Sequence, residues 1–382
     1  MSAYAIFRLP HETHATIVRQ TQGEPMELLT CQELNGRRGF VVAPFEIRQD
    51  QPILLIRPDE VETFDTRDQE RCAHVGGGLQ PVANSQHNRS SYAIDFANYH
   101  AQLLRGTFRK IVLARCADES TAEPIEPMQL FLLACERYPR MFISLVSTQK
   151  SGCWLTATPE ILLEGDGRRW RTIALAGTMK LEGEQLAFDT QPSQKMDDRV
   201  SIRWTTKNIQ EQRIVATYIT ECLEQFTSDF REEGPLTVRA ANLVHLRSDF
   251  TFTLPDSEHI GDLLHALHPT PAVCGLPKHA AYQFIVRNEH TPRRYYSGFM
   301  GPLDICPPPT AQPISPPYTG GACGGHTSTH LYVSLRCMKI EGLRYHLYAG
   351  GGLLGESTEE QEWQETEAKL ETMRSLLGNS GE

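Results

Sequence analysis

Short apolar runs separated by turn residues recur along almost the whole chain, and this rhythm limits the fold more than any other feature. Residues 3–9, 39–45, 52–57, 109–115, 141–147, 154–158, 161–164 and 171–176 are each strand-like, apolar and bounded by turn residues. Residues 332–340 and 343–349 flank Glu341-Gly342, a plausible two-residue hairpin turn. Helical patterns fall between these groups, at 91–105, 199–226 and 260–267. Another helix opens at Pro277, a favoured first-turn residue. Strands joined by short turns, with helices between the groups, predict antiparallel sheets packed with helices, an α+β fold.

One segment breaks the rhythm. Residues 301–330 carry seven prolines and five glycines, which leaves little capacity to pack. A mobile excursion between core elements is expected there, either a solvated insertion or a lid.

Composition narrows the function. At 382 residues with 40% hydrophobic content, the chain can bury a large core. A net charge of −10 and the lack of a long basic run exclude a nucleic-acid partner. The apolar runs are too short for a membrane helix. The start, MSAYAIFRLPHETH, lacks a charged segment followed by an apolar one, so no secretory leader is expected. The ten cysteines are scattered, mostly in apolar contexts, without a C-x-x-C pair. Buried free thiols in a cytoplasmic protein are the expectation, not a zinc site or a disulfide frame.

The last fifty residues carry the most chemistry. Ser357 and Glu360 match a capping box at the start of a helix. At about 100° per residue, Trp363, Thr366, Leu370, Met373, Leu376 and Leu377 form one apolar stripe. Glu362, Glu365 and Lys369 fall inside its edge, where bare charges are too costly to bury. An exposed Glu365–Lys369 pair is the plain reading. Gly350-Gly351-Gly352 just upstream, where amides can approach an anion, favours a site.

Four further places stand out. Lys110 shares a strand face with Val112 and Ala114, and a lysine stripped of water there suits a general base. The plain alternative is a strand-edge lysine that snorkels to water. Glu160 follows Thr158-Pro159 at a turn, placed for a general acid or simply solvated. Glu211 shares a helix face with Lys207, Val215, Tyr218 and Cys222. Carboxylates from two helices suit a hard cation such as Mg2+, with a buried salt bridge as the equal alternative. His268-Pro269-Thr270-Pro271-Ala272 is a rigid loop before a helix N-terminus, a place to position a substrate.

Taken together, the chain resembles the chorismate-utilising enzymes, and most closely the isochorismate synthases. The resemblance rests on RKIVLAR (109–115), ATPEILLE (157–164), IALAGT (173–178), HPTPAVCGLPKHAA (268–281), YYSGFMG (295–301), VSLRCMKI (333–340), LYAGGGLL (347–354) and EWQETEAKL (362–370), in the family's order. It implies two orthogonally packed antiparallel sheets with helices outside, enclosing one site. Residues 1–100 are then a divergent part of the same fold. Residues 101–377 form the catalytic core, 302–330 an insertion and 378–382 a tail.

The resemblance also implies roles. Lys110 would activate water for attack at C2 of chorismate, and Glu160 would protonate the departing C4 hydroxyl. Glu211 and Glu365 would hold Mg2+, with Glu362 in the same shell. Arg336, Lys369, Tyr348, Gly177, Thr178 and amides near Gly350 would bind the substrate's carboxylates. His268 and Ala272 would line the reacting face. A cytoplasmic monomeric isomerase is implied, of the menaquinone or siderophore type, with chorismate as its partner. Salicylate synthase, which goes on to eliminate pyruvate, is the alternative. Anthranilate and aminodeoxychorismate synthases stand further off, because the former lack the lysine at 110 and the latter often carry one where Ala176 stands. A chorismate-binding subunit without turnover is the non-enzymatic reading. The chain departs from the family at Glu211-Gln212, where Glu-His is common, and in the length of 302–330.

Overall fold

The computed structural model describes residues 3–69, 79–80, 85–181, 202–240, 243–255, 258–306 and 328–378. The first strands are β1 (Ala3–Arg8), β2 (His14–Gln20), β3 (Met26–Leu28), β4 (Gly39–Ala43), β5 (Ile53–Ile56), β6 (Glu60–Asp65) and β7 (Leu79–Gln80). Then come α1 (Ser85–Leu104), β8 (Lys110–Thr121), α2 (Pro127–Arg137), β9 (Phe142–Thr148), β10 (Gly152–Thr158), β11 (Ile161–Asp166) and β12 (Arg169–Lys180). The chain continues through α3 (Thr206–Leu223), β13 (Phe230–Ala240), β14 (Leu243–Thr253), α4 (Ile260–Leu267), β15 (Gly275–Leu276) and α5 (Lys278–Asn288). It closes with β16 (Phe299–Leu303), β17 (Thr329–Val333), β18 (Cys337–Glu341), β19 (Arg344–Leu353) and α6 (Glu359–Arg374).

These strands form two sheets. Sheet one runs β15-β8-β19-β18-β10-β9-β1-β2-β6, with β7 also on β8. Sheet two runs β13-β14-β12-β11-β17-β16-β4-β5-β3. All the pairings are antiparallel, so the α+β expectation holds. Residues 3–65 contribute strands to both sheets.

Side-chain alternation explains why the strands read as continuous apolar runs. Ala3, Ala5 and Phe7 of β1, Phe40 and Val42 of β4, and Phe142 and Val146 of β9 meet in a core between the sheets. Their neighbours point the other way. Ile6, Ile143 and Leu145 pack with Leu130, Phe131 and Leu370 from α2 and α6. Val41 and Ala43 pack with Ile219, Leu263 and Leu264 from α3 and α4. These central strands are covered on both faces, so both of their faces are apolar. Phe142 stacks on Tyr332 at 4.2 Å and 2° between ring planes, joining the two sheets directly.

Several expected elements are redrawn. Residues 332–340 are not one strand: β17 belongs to sheet two and β18 to sheet one, and the chain crosses between them at Ser334-Leu335-Arg336. The hairpin turn is Gly342-Leu343, one residue later than expected, since Glu341 pairs with Arg344 and Gly342 takes φ +63°. Gly350, Gly351 and Gly352 lie inside β19 and not in a loop. The long helix starts at Thr206, where the Asn208 amide donates to the Thr205 hydroxyl. The capping box at the last helix is absent. Thr358 is the N-cap there, the Ser357 hydroxyl accepts from the Leu354 amide at 3.0 Å, and Glu360 is drawn to Arg89 at 2.7 Å. The proline-rich stretch begins in β16 and ends in β17, while 307–327 lie outside the described residues.

Candidate active site

The site forms where the chain passes from one sheet to the other. Two of its crossings meet there: between β10 and β11 at Pro159-Glu160, and between β17 and β18 at Arg336. Pro159 has no amide hydrogen to extend β10. The two crossings are stitched together, with Val333 N–H donating to Glu160 C=O at 2.9 Å and Ala157 N–H to Arg336 C=O at 3.1 Å. The Glu160 amide donates to the Thr158 hydroxyl at 3.2 Å. Arg336 has φ +42°, a conformation that costs a residue with a Cβ and clusters at functional positions.

Around these crossings lies a cavity of about 560 Å³ counted to its open mouth. Glu160, Gly177, Thr178, Glu211, Ala272, Arg336, Tyr348, Gly350 and Lys369, all expected site residues, line it. Gly177 has φ +66° and sits at a bulge in β12. A side chain there would come within 3.0 Å of the Asn208 carbonyl on α3, so glycine is required.

Charge is concentrated behind one wall, where Glu211 and Lys369 line the cavity and Lys110, Glu362 and Glu365 lie outside its lining. Lys110 opens β8 with 0% exposure, its Nζ 2.8 Å from Glu211 Oε1 on α3. It touches the cavity wall through Gly352, where an added Cβ would lie 2.7 Å from Lys110 Cε and 2.1 Å from Glu211 Oε1. Glu362 on α6 is 1% exposed and pairs with Lys207. Glu365 pairs with Lys369 at 2.7 Å, and Lys369 also donates to Gly350 C=O at 2.8 Å. The Lys207 partner is therefore on another helix, and Glu211 takes its lysine from a strand.

Burial sets the protonation states. Burial pushes the Glu160 carboxyl up to about 7, against the opposing pull of Arg336, Lys110 and Lys369. Burial also raises the Glu211 carboxyl, but the surrounding lysines, Lys110 first and then Lys207 and Lys369, together outweigh it and leave Glu211 below the usual range. Burial and then the charge of Glu365 lift Glu362 to about 7, against Lys207.

His245 and Tyr296 also line the cavity, and neither is singled out by sequence. Arg336 Nη2 donates to His245 Nε2 at 2.8 Å, so the imidazole proton sits on Nδ1, 3.3 Å from the Thr178 hydroxyl. Burial and the Arg336 charge hold His245 neutral. Residues 230–253 carry no expected element, yet the alternation of Leu246, Phe250 and Phe252 with Arg247, Asp249 and Thr251 is the strand signal that reveals β14. Tyr296 stacks on Tyr348 at 5.8 Å and crowds Gly350, whose added Cβ would lie 2.6 Å from its hydroxyl.

His268 is not brought into the cavity lining. It is buried against Phe299 at 5.0 Å, both ring nitrogens lack partners, and burial lowers it to about 3. Gln212 turns away from the cavity. Its side chain accepts from Ala176 N–H at 2.9 Å and donates to Ala174 C=O at 3.1 Å, tying α3 to β12.

Of the three expected glutamates, Glu362 and Glu365 face one cradle that fits a hard divalent cation, while Glu211 lies beside it at Gly352 in its pair with Lys110. Among the described residues, Glu362 Oε2 is buried without a hydrogen-bond partner. An added Cβ at Gly351 would lie 3.0 Å from that oxygen and 3.7 Å from Glu365 Oε1, so the missing side chain leaves a cradle between them. All the donors are carboxylate oxygens, the set that suits Mg2+.

Comparison with known proteins agrees with this geometry. The chorismate binding enzyme family model matches residues 48–306 and 319–378. Isochorismate synthase EntC of Escherichia coli is 28% identical over 88% of this chain and 80% of its own length. Isochorismate synthase DhbC of Bacillus subtilis is 26% identical over 93% of this chain and 85% of its own. Among solved structures, a putative 2,3-dihydroxybenzoate-specific isochorismate synthase from Bacillus anthracis has a TM-score of 0.75 at 21% identity, over 98% of this chain and 96% of that one. Anthranilate synthase component I from Streptococcus pneumoniae has a TM-score of 0.63 at 15% identity, over 98% and 90%. With the family model matched over well beyond half its length, this chain is an enzyme of the chorismate-binding family.

Proposed function

We propose that this enzyme is an isochorismate synthase, an isomerase that reversibly converts chorismate to isochorismate. The carrying observation is a sealed lysine, Lys110, behind the wall of the cavity that Glu160 lines with a carboxyl lifted to about 7. Relatives named isochorismate synthase, at 26% to 29% identity, support the reading.

The reaction moves a hydroxyl and shifts a double bond, so it needs a base and an acid. Lys110 is the base that takes a proton from the water attacking C2. To do so it must shed its own proton and leave the ion pair with Glu211. Glu160 is the acid that gives its proton to the departing C4 oxygen, and its raised carboxyl keeps that proton available near neutral pH. Among the described residues the buried Nη1 of Arg336 has no partner, which leaves a donor for a substrate carboxylate. Lys369 has two of its three N–H groups engaged and keeps one for the same task. Glu211, Glu362 and Glu365 would hold Mg2+, which supplies charge to neutralise them and to anchor the substrate's ring carboxylate.

The test is incubation of purified protein with chorismate and Mg2+, with products identified by NMR. Isochorismate is expected, and none after EDTA treatment. Salicylate plus pyruvate would move the assignment to salicylate synthase. Anthranilate formed only with added ammonia would remove water as the nucleophile.

A further inference from the structure

We propose that Cys116, Asp118 and His346 form a binding site for Zn2+, separate from the carboxylate wall of the cavity. Asp118 and His346 are direct cross-strand partners on β8 and β19, and Cys116 faces Tyr348 at the next such pair. The period of two puts Cys116 and Asp118 on one face of β8. Asp118 Oδ1 lies 2.7 Å from His346 Nδ1 and 3.9 Å from Cys116 Sγ. The three ligand atoms all lie within 4.8 Å of one another, the one such group among the described residues. Tetrahedral Zn–N and Zn–S bonds place a nitrogen and a sulfur about 3.5 Å apart, so small side-chain rotations close the set.

The surroundings resemble a prepared ligand shell. His346 Nε2 lies 3.1 Å from Glu341 Oε2. A carboxylate on one ring nitrogen fixes the tautomer and turns the other toward a metal. The side chains of His346 and Asp118 are 26% and 39% exposed, which gives an ion a way in. Thiolate and carboxylate together balance a divalent charge. The ion replaces the thiol proton and the proton shared by Asp118 and His346, and both go to solvent. Thiolate and imidazole select a softer ion than the all-oxygen glutamate set does. The cysteine spacing alone points away from zinc, because the partners are carried on the neighbouring strand.

Full-length protein, stripped with EDTA and titrated with Co2+ under excess Mg2+, tests the site. One Co2+ per chain is expected, with a thiolate-to-cobalt absorption band that Zn2+ abolishes by displacement. Cys116→Ser should lose the band. His346→Gln, altered at a partly exposed position, should weaken binding at least tenfold, and Glu341→Gln about 10–100-fold. A titration with no thiolate band, or a band that survives in Cys116→Ser, would overturn the site.

Discussion

The Glu289–Arg293 and Lys110–Glu211 pairs are both buried beside β8, yet they are built differently. Arg293 uses all three of its guanidinium nitrogens. Nε and Nη2 donate to Glu289 at 2.6 and 2.8 Å, Nη1 to Val273 C=O at 2.7 Å, and Nη2 also to Val112 C=O at 2.8 Å. Glu289 in turn accepts from Ala114 N–H at 2.8 Å. The cavity cluster around Lys110–Glu211 is left incomplete, with Arg336 Nη1 and Glu362 Oε2 buried and without partners among the described residues. Buried polar capacity is costly to leave unmet. A saturated pair is a brace, whereas an unsaturated one is a site kept ready for a ligand.

The contrast can be broken in four ways. The largest effect belongs to the incomplete cluster: Glu160→Gln and Lys110→Ala should each lower turnover about 10²–10⁴-fold. Circular dichroism should show the fold retained, and near-wild-type activity in either variant would withdraw that role. Next comes the brace. Arg293→Leu leaves Glu289 buried and unpaired, and urea unfolding should show a loss of about 3–5 kcal/mol. An altered Mg2+ response without that loss would erase the distinction between the clusters. Glu362→Gln and Glu365→Gln should raise the Mg2+ concentration for half-maximal activity about tenfold or more, by analogy with losses around metal ligands. An unchanged Mg2+ titration would remove them as ligands.

The smallest effect is in pH. Glu160 must hold its proton to act as acid, so chorismate turnover should fall as pH rises through about 7, and Glu160→Gln should show no such limb. The stability sign follows the same proton. The folded carboxyl binds it more tightly than the unfolded one, from 4.5 to about 7. Its contribution is present below the unfolded value and lost as pH rises through about 7. A stability profile with the opposite slope in this window would contradict the burial of Glu160.

Local pattern carried the strands near 3–9, 39–45 and 141–147, because packing on both faces makes them plainly apolar. It also placed Glu362, Glu365 and Lys369 at the margin of a buried helix face. Residue pattern marked Lys110 and Glu160 as candidates, and the family resemblance added Arg336. It missed the sheet crossing at Arg336, because a run such as VSLRCMKI looks like one strand until pairing partners divide it. It also missed His245, whose strand is half polar.

Hydrophobic period is a local property, written every two or four residues, and so the chain alone announces its strands, its helices and their buried faces. The partner of a charge is not local. Lys110 meets Glu211, Lys207 meets Glu362, and Cys116 meets His346 only after separate elements pack. Electrostatic energy depends on distance and burial, and both are set by the assembled sheets. Tertiary structure therefore decided which glutamates took a lysine, which donors stayed open, and that Glu160 keeps its proton near neutral pH.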